Sequence, residues 1–455
     1  MKEFAMLIKT SWIKNFFINS LAALTVGLGT FCFADNSIIQ TKFTADPAPM
    51  VYNDTVFLYT SHDENDATGF HMKNWLLYTS TDMVNWTDRG IVASLKDFKW
   101  VKETNGAWAP QCINRNGKFY LYCPMPNGVG IGVLVSDSPY GPFKDPIGKA
   151  LIHNGPEVID PTVFIDDDGQ AYLYWGNPRA YYVKLNKDMI SYSGEIVEVP
   201  TTSKNYQEGP WLWKHKGMYY LAYASTCCPE GIGYAMSNSP TGPWEYKGMI
   251  MDANKKSSGN HPGIIEYKGN WYVFGFNYAI NYSLTNIHRE RRSVCVEEMT
   301  YNPDGTIQKL PWWTTAGVPQ IGNLNPYIRN EAETIAWESG VKTEKSKSEG
   351  IYVTDINNGD YIKVEGVDFG NKGAATFSAS IASALNGSKI ELRIDSLGGT
   401  KIGALQISKT GSLKNWKLES TSVKNASGVH DLYFVFKGNP GEKLFNFDYW
   451  KFKAN

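Results

Sequence analysis

Three acidic side chains stand next to prolines in the chain: Asp46-Pro47, Asp160-Pro161 and Glu208-Gly209-Pro210. Two further segments, Trp108-Ala109-Pro110 and Asn260-His261-Pro262, have the same form. A single Asp before Pro is ordinary turn chemistry. A turn has no need of Glu208, however, so three acids at one phase of a repeated pattern point to convergence in space. Carboxyl groups gathered in one pocket cannot all keep their solution behaviour, because desolvation and like charge raise the pKa of at least one. One protonated carboxyl beside one ionised carboxylate is the equipment for cleaving a glycosidic bond. The first protonates the leaving oxygen, and the second activates water or attacks the anomeric carbon.

Ten or eleven residues after each of these five positions comes an aromatic β-strand, beginning at Val56, Phe119, Ala171, Tyr219 and Trp271. Each strand follows a hairpin signal: Asn53-Asp54, Asn116-Gly117, Asp168-Gly169, Lys216-Gly217 or Lys268-Gly269. Strand repeats roughly 50 to 60 residues apart read as propeller blades, each aiming one side chain at a shared axis. A second repeat agrees, since Ser136-Asp137-Ser138-Pro139-Tyr140-Gly141-Pro142-Phe143 returns 101 residues later as Ser237-Asn238-Ser239-Pro240-Thr241-Gly242-Pro243-Trp244. The pattern fades near Gly322. Beyond Asn325 shorter alternating strands such as Tyr361–Val364, Ile390–Ile394 and Leu432–Phe436 read as a β-sandwich. The expected fold is all-β: a five-bladed β-propeller over 35–324 followed by a jelly-roll sandwich over 325–455, with no long amphipathic helix.

Composition limits the partner. Net charge is −1 with no block of like charge, so the basic field of a nucleic-acid binder is missing. Aromatic residues make up 14% of the chain, including 15 Trp and 27 Tyr. Such faces suit an uncharged ring like a sugar, although all-β cores are also rich in them. Residues 1–34 carry Lys2, Lys9 and Lys14, then an apolar run to Phe33 and Ala34, which reads as an export signal cleaved after Ala34. A lipid anchor at Cys32 is the competing reading. The run is too short to span a bilayer, so a secreted, soluble protein is expected. Cys112, Cys123, Cys227, Cys228 and Cys295 remain, an odd set without framework spacing. The adjacent Cys227 and Cys228 could form a strained vicinal bridge, line a pocket or fill space, and space-filling is the reading taken.

The segments Thr44-Ala45-Asp46-Pro47-Ala48-Pro49, Val158-Ile159-Asp160-Pro161-Thr162-Val163-Phe164 and Tyr206-Gln207-Glu208-Gly209-Pro210 resemble the three acidic motifs of glycoside hydrolase family 43, whose members are inverting five-bladed propeller enzymes. The resemblance implies Asp46 as general base, Glu208 as general acid and Asp160 as the residue that tunes and orients the acid. It also implies sugar-facing roles for Trp108, for His261 through water, and for Arg292, chosen over Arg289 and Arg291. Glu230 falls in a segment that flanks the pocket. Residues 327–455 resemble carbohydrate-binding module family 6 through Glu331-Ala332-Glu333 and Asn446-Phe447-Asp448-Tyr449-Trp450. That resemblance implies a structural calcium held by Glu331, Glu333 and Asp448, with sugar contacts from Trp416 and Asn446. Asp355 stands where the module carries a Tyr, and Tyr352 is the substitute. The implied activity is removal of α-L-arabinofuranosyl side groups from arabinoxylan by a monomer that needs no cofactor for the chemistry. β-Xylosidase, endo-arabinanase and a non-catalytic sugar-binding propeller are the alternatives.

Overall fold

The computed structural model describes residues 36–153, 158–200, 205–254 and 260–455. The export signal expected over 1–34 lies outside these residues. Within them the protein is all-β. Its helical content is one short α-helix, Ala279–Leu284, and two 3-10 turns. No helix among the described residues is long and apolar enough to cross a membrane.

Five antiparallel sheets follow one another between Phe43 and Met299. Their first strands are Phe43–Tyr52, Gln111–Arg115, Thr162–Ile165, Tyr206–His215 and Gly263–Tyr267. Their second strands are Thr55–Asp63, Lys118–Pro124, Ala171–Trp175, Met218–Ser225 and Asn270–Asn277, each starting within one residue of its expected place. Four of the five connecting hairpins hold both central residues at positive φ, for example Asn116 at 53° and Gly117 at 78°, and Lys216 at 49° and Gly217 at 83°. This is the primed turn whose twist matches the flanking strands. The duplicated Ser-rich segment also folds alike in both copies. Ser136 Oγ accepts from the Ser138 amide and Ser237 Oγ from the Ser239 amide, both at 3.1 Å.

The first strands meet in the middle. Pro47, Pro110, Pro161, Pro210 and Pro262, each within or just before the first strand of one sheet, wall a small common cavity that Asp46, Asp160 and His261 also line. Apolar side chains of successive sheets pack between them. Tyr59, Trp75, Leu121, Trp211, Tyr220 and Val273 belong to one continuous core. The fifth sheet has three strands, and the N-terminal segment lies along its last one, Ser293–Met299, where the Ile38 amide donates to Val294 O at 2.9 Å.

Two more sheets occupy the C-terminal region. One contains Lys342–Ser346, Gly350–Thr354, Asn446–Ala454, Ala374–Ala382 and Trp416–Ser422; the other contains Trp337–Ser339, Tyr361–Asp368, Val429–Lys437, Lys389–Ile394 and Lys401–Gln406. Phe377, Phe447 and Trp450 of the first meet Ile362, Val364 and Phe434 of the second in a separate core. The two halves share backbone. Thr334–Ile335 pairs with the outer strand Trp86–Ser94 of the first sheet, and Asn85 exchanges hydrogen bonds with the backbone of Glu365 at 2.9 and 3.0 Å.

Candidate active site

Each acid is set by a local break in regular backbone. Strand register shifts between Ala45 and Ala48, and Asp46 within that bulge has φ of 50°. Asp160 precedes its strand with φ of 58°. Register also shifts on both sides of Glu208, and Gly209 has φ of 60°. A Cβ at Gly209 would come within 2.8 Å of the His261 ring, so glycine is required there for space as well as for conformation. Bulges re-aim side chains next to active sites. Bulges at Asp46 and Glu208, and the positive φ of Asp160, turn three carboxyl groups into one pocket of about 540 Å³, which His261, Trp108 and Arg292 also line.

His261 is the hub. Its Nε2 lies 3.0 Å from Glu208 Oε1 and 3.7 Å from Asp160 Oδ2, and its Nδ1 lies 3.7 Å from Asp46 Oδ1. One imidazole bridging Asp46 and Glu208 limits their separation to about 9 Å, compatible with the gap that an inverting pair needs for water. Burial opposes a charge on His261, but Asp160, Asp46 and Glu208 outweigh it and push its pKa up to about 10. The ring is therefore held as an imidazolium at neutral pH. Burial is the main cause that drives Asp160 up to about 8, with Glu208 and Asp46 adding to it and His261 and the Gly209 amide opposing. Asp160 thus holds its proton at neutral pH.

Arg292 is shared between two carboxylates, Asp46 and Asp63. It donates from Nη1 to Asp46 at 2.8 Å, and from Nε and Nη2 to Asp63 at 3.0 and 2.9 Å. It is 3% exposed and its charge lies over the rings of Phe70 and Phe276. Removing one partner of such a buried pair costs roughly 3–5 kcal/mol. Trp108 is half-buried in the pocket wall and accepts a bond from Trp75 Nε1 through its carbonyl at 2.6 Å.

Several pocket residues escaped the sequence reading. Asn177 donates to Glu208 Oε2 and accepts from Gln207 Nε2 at 3.0 Å. Ser61 Oγ donates to Asp46 Oδ2 at 2.5 Å. Ser61 and Asp63 share one face of a strand that is otherwise aromatic on that face, and a buried polar pair ending such a strand was the available signal. Cys227 and Cys228 do not fill space. They are joined in a disulfide, they are exposed, and they lie on the pocket wall in the short loop between Met218–Ser225 and Gly231–Ser237. Glu230 is buried behind them and accepts from the Asn260 amide at 2.8 Å.

The glycosyl hydrolase family 43 model matches residues 34–307, the five sheets and the whole pocket. The chain belongs to glycosyl hydrolase family 43. The enzyme is 36% identical to an arabinoxylan arabinofuranohydrolase of Bacillus subtilis (strain 168), with 95% of each chain covered. It is 35% identical to one of Paenibacillus polymyxa, over 92% of this chain and 74% of the relative. A crystal structure of a family 43 arabinoxylan arabinofuranohydrolase from Bacillus subtilis in complex with cellotetraose superposes with a TM-score of 0.83 at 35% identity, covering 92% of this chain and 97% of that one.

Residues 331–454 of this glycoside hydrolase match the carbohydrate binding module family 6. The expected sugar contacts there are largely occupied. Asn446 accepts from Thr354 Oγ1 and donates to Leu413 O, both at 2.9 Å. Tyr352 stands edge-on to Trp416 at 5.3 Å, with its hydroxyl on Glu344, and Asp355 pairs with Lys443. Glu331, Glu333 and Asp448 do not gather their oxygens within 4.8 Å of one another. Arg329 engages Glu331 at 2.8 Å and approaches Asp448 at 3.5 Å. Asp448 is fully buried, which pushes its pKa up to about 6, and burial holds Glu333 well above the usual carboxylate range.

Proposed function

We propose that this family 43 enzyme removes α-L-arabinofuranosyl side groups from arabinoxylan with inversion at the anomeric carbon. The observation that carries the reading is the convergence of Asp46, Asp160 and Glu208 around His261 in one pocket. The substrate is taken from the two arabinoxylan arabinofuranohydrolases to which the chain is similar over most of its length. Asp46, on the Ser61 and Arg292 side, draws a proton from water as the water attacks the anomeric carbon. Glu208, held by Asn177 and His261, gives its proton to the departing xylose oxygen. Asp160, protonated and 3.7 Å from His261, limits the negative charge around the donor. The residues themselves supply both proton transfers, so the chemistry needs no cofactor. Trp108 offers the sugar an apolar wall.

The five sheets sharing a proline-walled centre are read as the blades of a propeller over 35–324, and the two C-terminal sheets with a common core as a sandwich over 325–455. The enzyme is read as a secreted monomer. A structural calcium is proposed for the C-terminal module. Asp448 is fully buried and Glu333 Oε2 is buried without a hydrogen-bond partner, which suits two oxygen donors awaiting a hard cation. Glu331 joins them once it turns from Arg329.

The test is product chromatography on arabinoxylan, linear arabinan and xylo-oligosaccharides, with wild type and Glu208→Gln. Arabinose from arabinoxylan alone, lost in the variant, is the expected result. Xylose or arabino-oligosaccharides would assign a different substrate. No release from any of the three would refute the reading.

A further inference from the structure

Asp63 is 0% exposed and lies outside the three acidic motifs, yet it takes more of Arg292 than Asp46 does. It accepts from Nε, from Nη2 and from the backbone amide of Arg292 at 3.0, 2.9 and 2.8 Å, leaving Nη1 alone for Asp46. Strand alternation explains the placement. Ser61 and Asp63 lie two residues apart on one face of Thr55–Asp63, so one strand supplies a hydroxyl to Asp46 and an anion to the arginine that Asp46 shares.

A guanidinium answering to Asp46 alone would hold the proton off more strongly and make Asp46 a weaker base toward water. With a second anion locked on the far side, the cation orients Asp46 while its charge is divided. We propose that Asp63 is a positioning residue for the general base: it fixes the Arg292 fork and offsets its charge, so that Asp46 is both aimed and able to take a proton. The inference rests on the reading of Asp46 as base. The other groups facing this cluster are His261 and Asp160 beside Asp46, Tyr278 beside Arg292, and His62 next to Asp63. Of these, His62 is the one on which the Asp63 charge acts directly.

The experiment is the pH profile of kcat/KM for wild type, Asp63→Asn, Arg292→Gln, the double variant and Asp46→Asn. Asp63→Asn is expected to lower the plateau about tenfold and to move the acid limb down by about one pH unit, since removing an anion favours ionisation of Asp46. In the Arg292→Gln background the same change is expected to cost little further, because there is no fork left to hold. A lowered plateau with an unmoved acid limb would reduce Asp63 to a structural role, and equal losses in both backgrounds would overturn the coupling. If Asp63→Asn alone does not fold, the comparison of Arg292→Gln with the double variant, which leaves no unpaired charge, decides. Turnover that survives in Asp46→Asn would refute the reading of the base, whatever the Asp63 variants show.

Discussion

Nε2 of His261 stands 3.0 Å from Oε1 of Glu208, while the other ring nitrogen faces Asp46. The proposed acid and base therefore share one cation. Taking it away should raise the proton affinity of both carboxyl groups. His261→Asn is accordingly expected to shift both limbs of the kcat/KM profile to higher pH, by about one unit each, with a lower maximum. Steady-state rates across pH check this, and limbs that stay in place would show that the ring is neutral or merely packs.

The same cluster predicts how stability responds to pH. Asp160 rises to about 8 and His261 to about 10 in the folded protein. Both are raised, so the native state holds more protons than the unfolded chain, in the window from about 4 to 8 for Asp160 and from about 6.5 to 10 for His261. Their contribution is complete at low pH and is lost as pH rises. Asp160→Asn cannot ionise, and its Tm should fall less than that of wild type between pH 5 and 8. Thermal melts across this range measure the difference. Parallel curves would mean that Asp160 is ionised throughout.

The sequence carried the hairpin turns, the strand starts and the residues that line the pocket floor because these are local. A primed turn needs residues that tolerate positive φ, and an acid close to a proline recurs at one phase of a repeat. Partnerships between distant segments were not legible. Asp63 meets Arg292 across 229 positions, and Asn177 reaches Glu208 from a loop whose course depends on the sheets around it. Nothing in the spacing of Arg289, Arg291 and Arg292 told which anion Arg292 would face. For Cys227 and Cys228 the space-filling reading gives way to the bridge and pocket-lining alternatives, because adjacency does not reveal that the loop leaves both sulfurs exposed on the pocket wall. Thr334 and Ile335 lie beyond the expected boundary yet pair with the first sheet, since an open sheet edge accepts whichever strand the fold brings to it.

The buried acids of the C-terminal module give a prediction about metal. Glu333 and Asp448, buried and with Arg329 at 3.5 Å from Asp448 as a counter-ion, cost stability unless protonated or bound to a further cation. Calcium at millimolar concentration is expected to raise the Tm of the whole chain by a few degrees over a chelator-treated sample at pH 7.5. Asp448→Asn should abolish that increment without lowering turnover. An increment that persists in this variant would place the ion elsewhere.

A sugar clamp needs two exposed aromatic faces and a free amide between them. In the C-terminal module Tyr352 is 7% exposed and edge-on to Trp416, and both polar atoms of Asn446 serve the fold. Trp416 therefore presents at most one face, and a single stacking contact on a polymer is weak. Affinity electrophoresis in gels containing soluble arabinoxylan, run with the proposed acid replaced through Glu208→Gln to prevent digestion, measures the consequence. Adding Trp416→Ala should change retention by less than about twofold, because one exposed ring contributes on the order of 0.5 kcal/mol. Adding Trp108→Ala should weaken retention several-fold by removing the wall of the catalytic pocket. The reverse ranking would show that the module, not the pocket, holds the polymer, and that its cleft opens further than Tyr352 and Asn446 allow here.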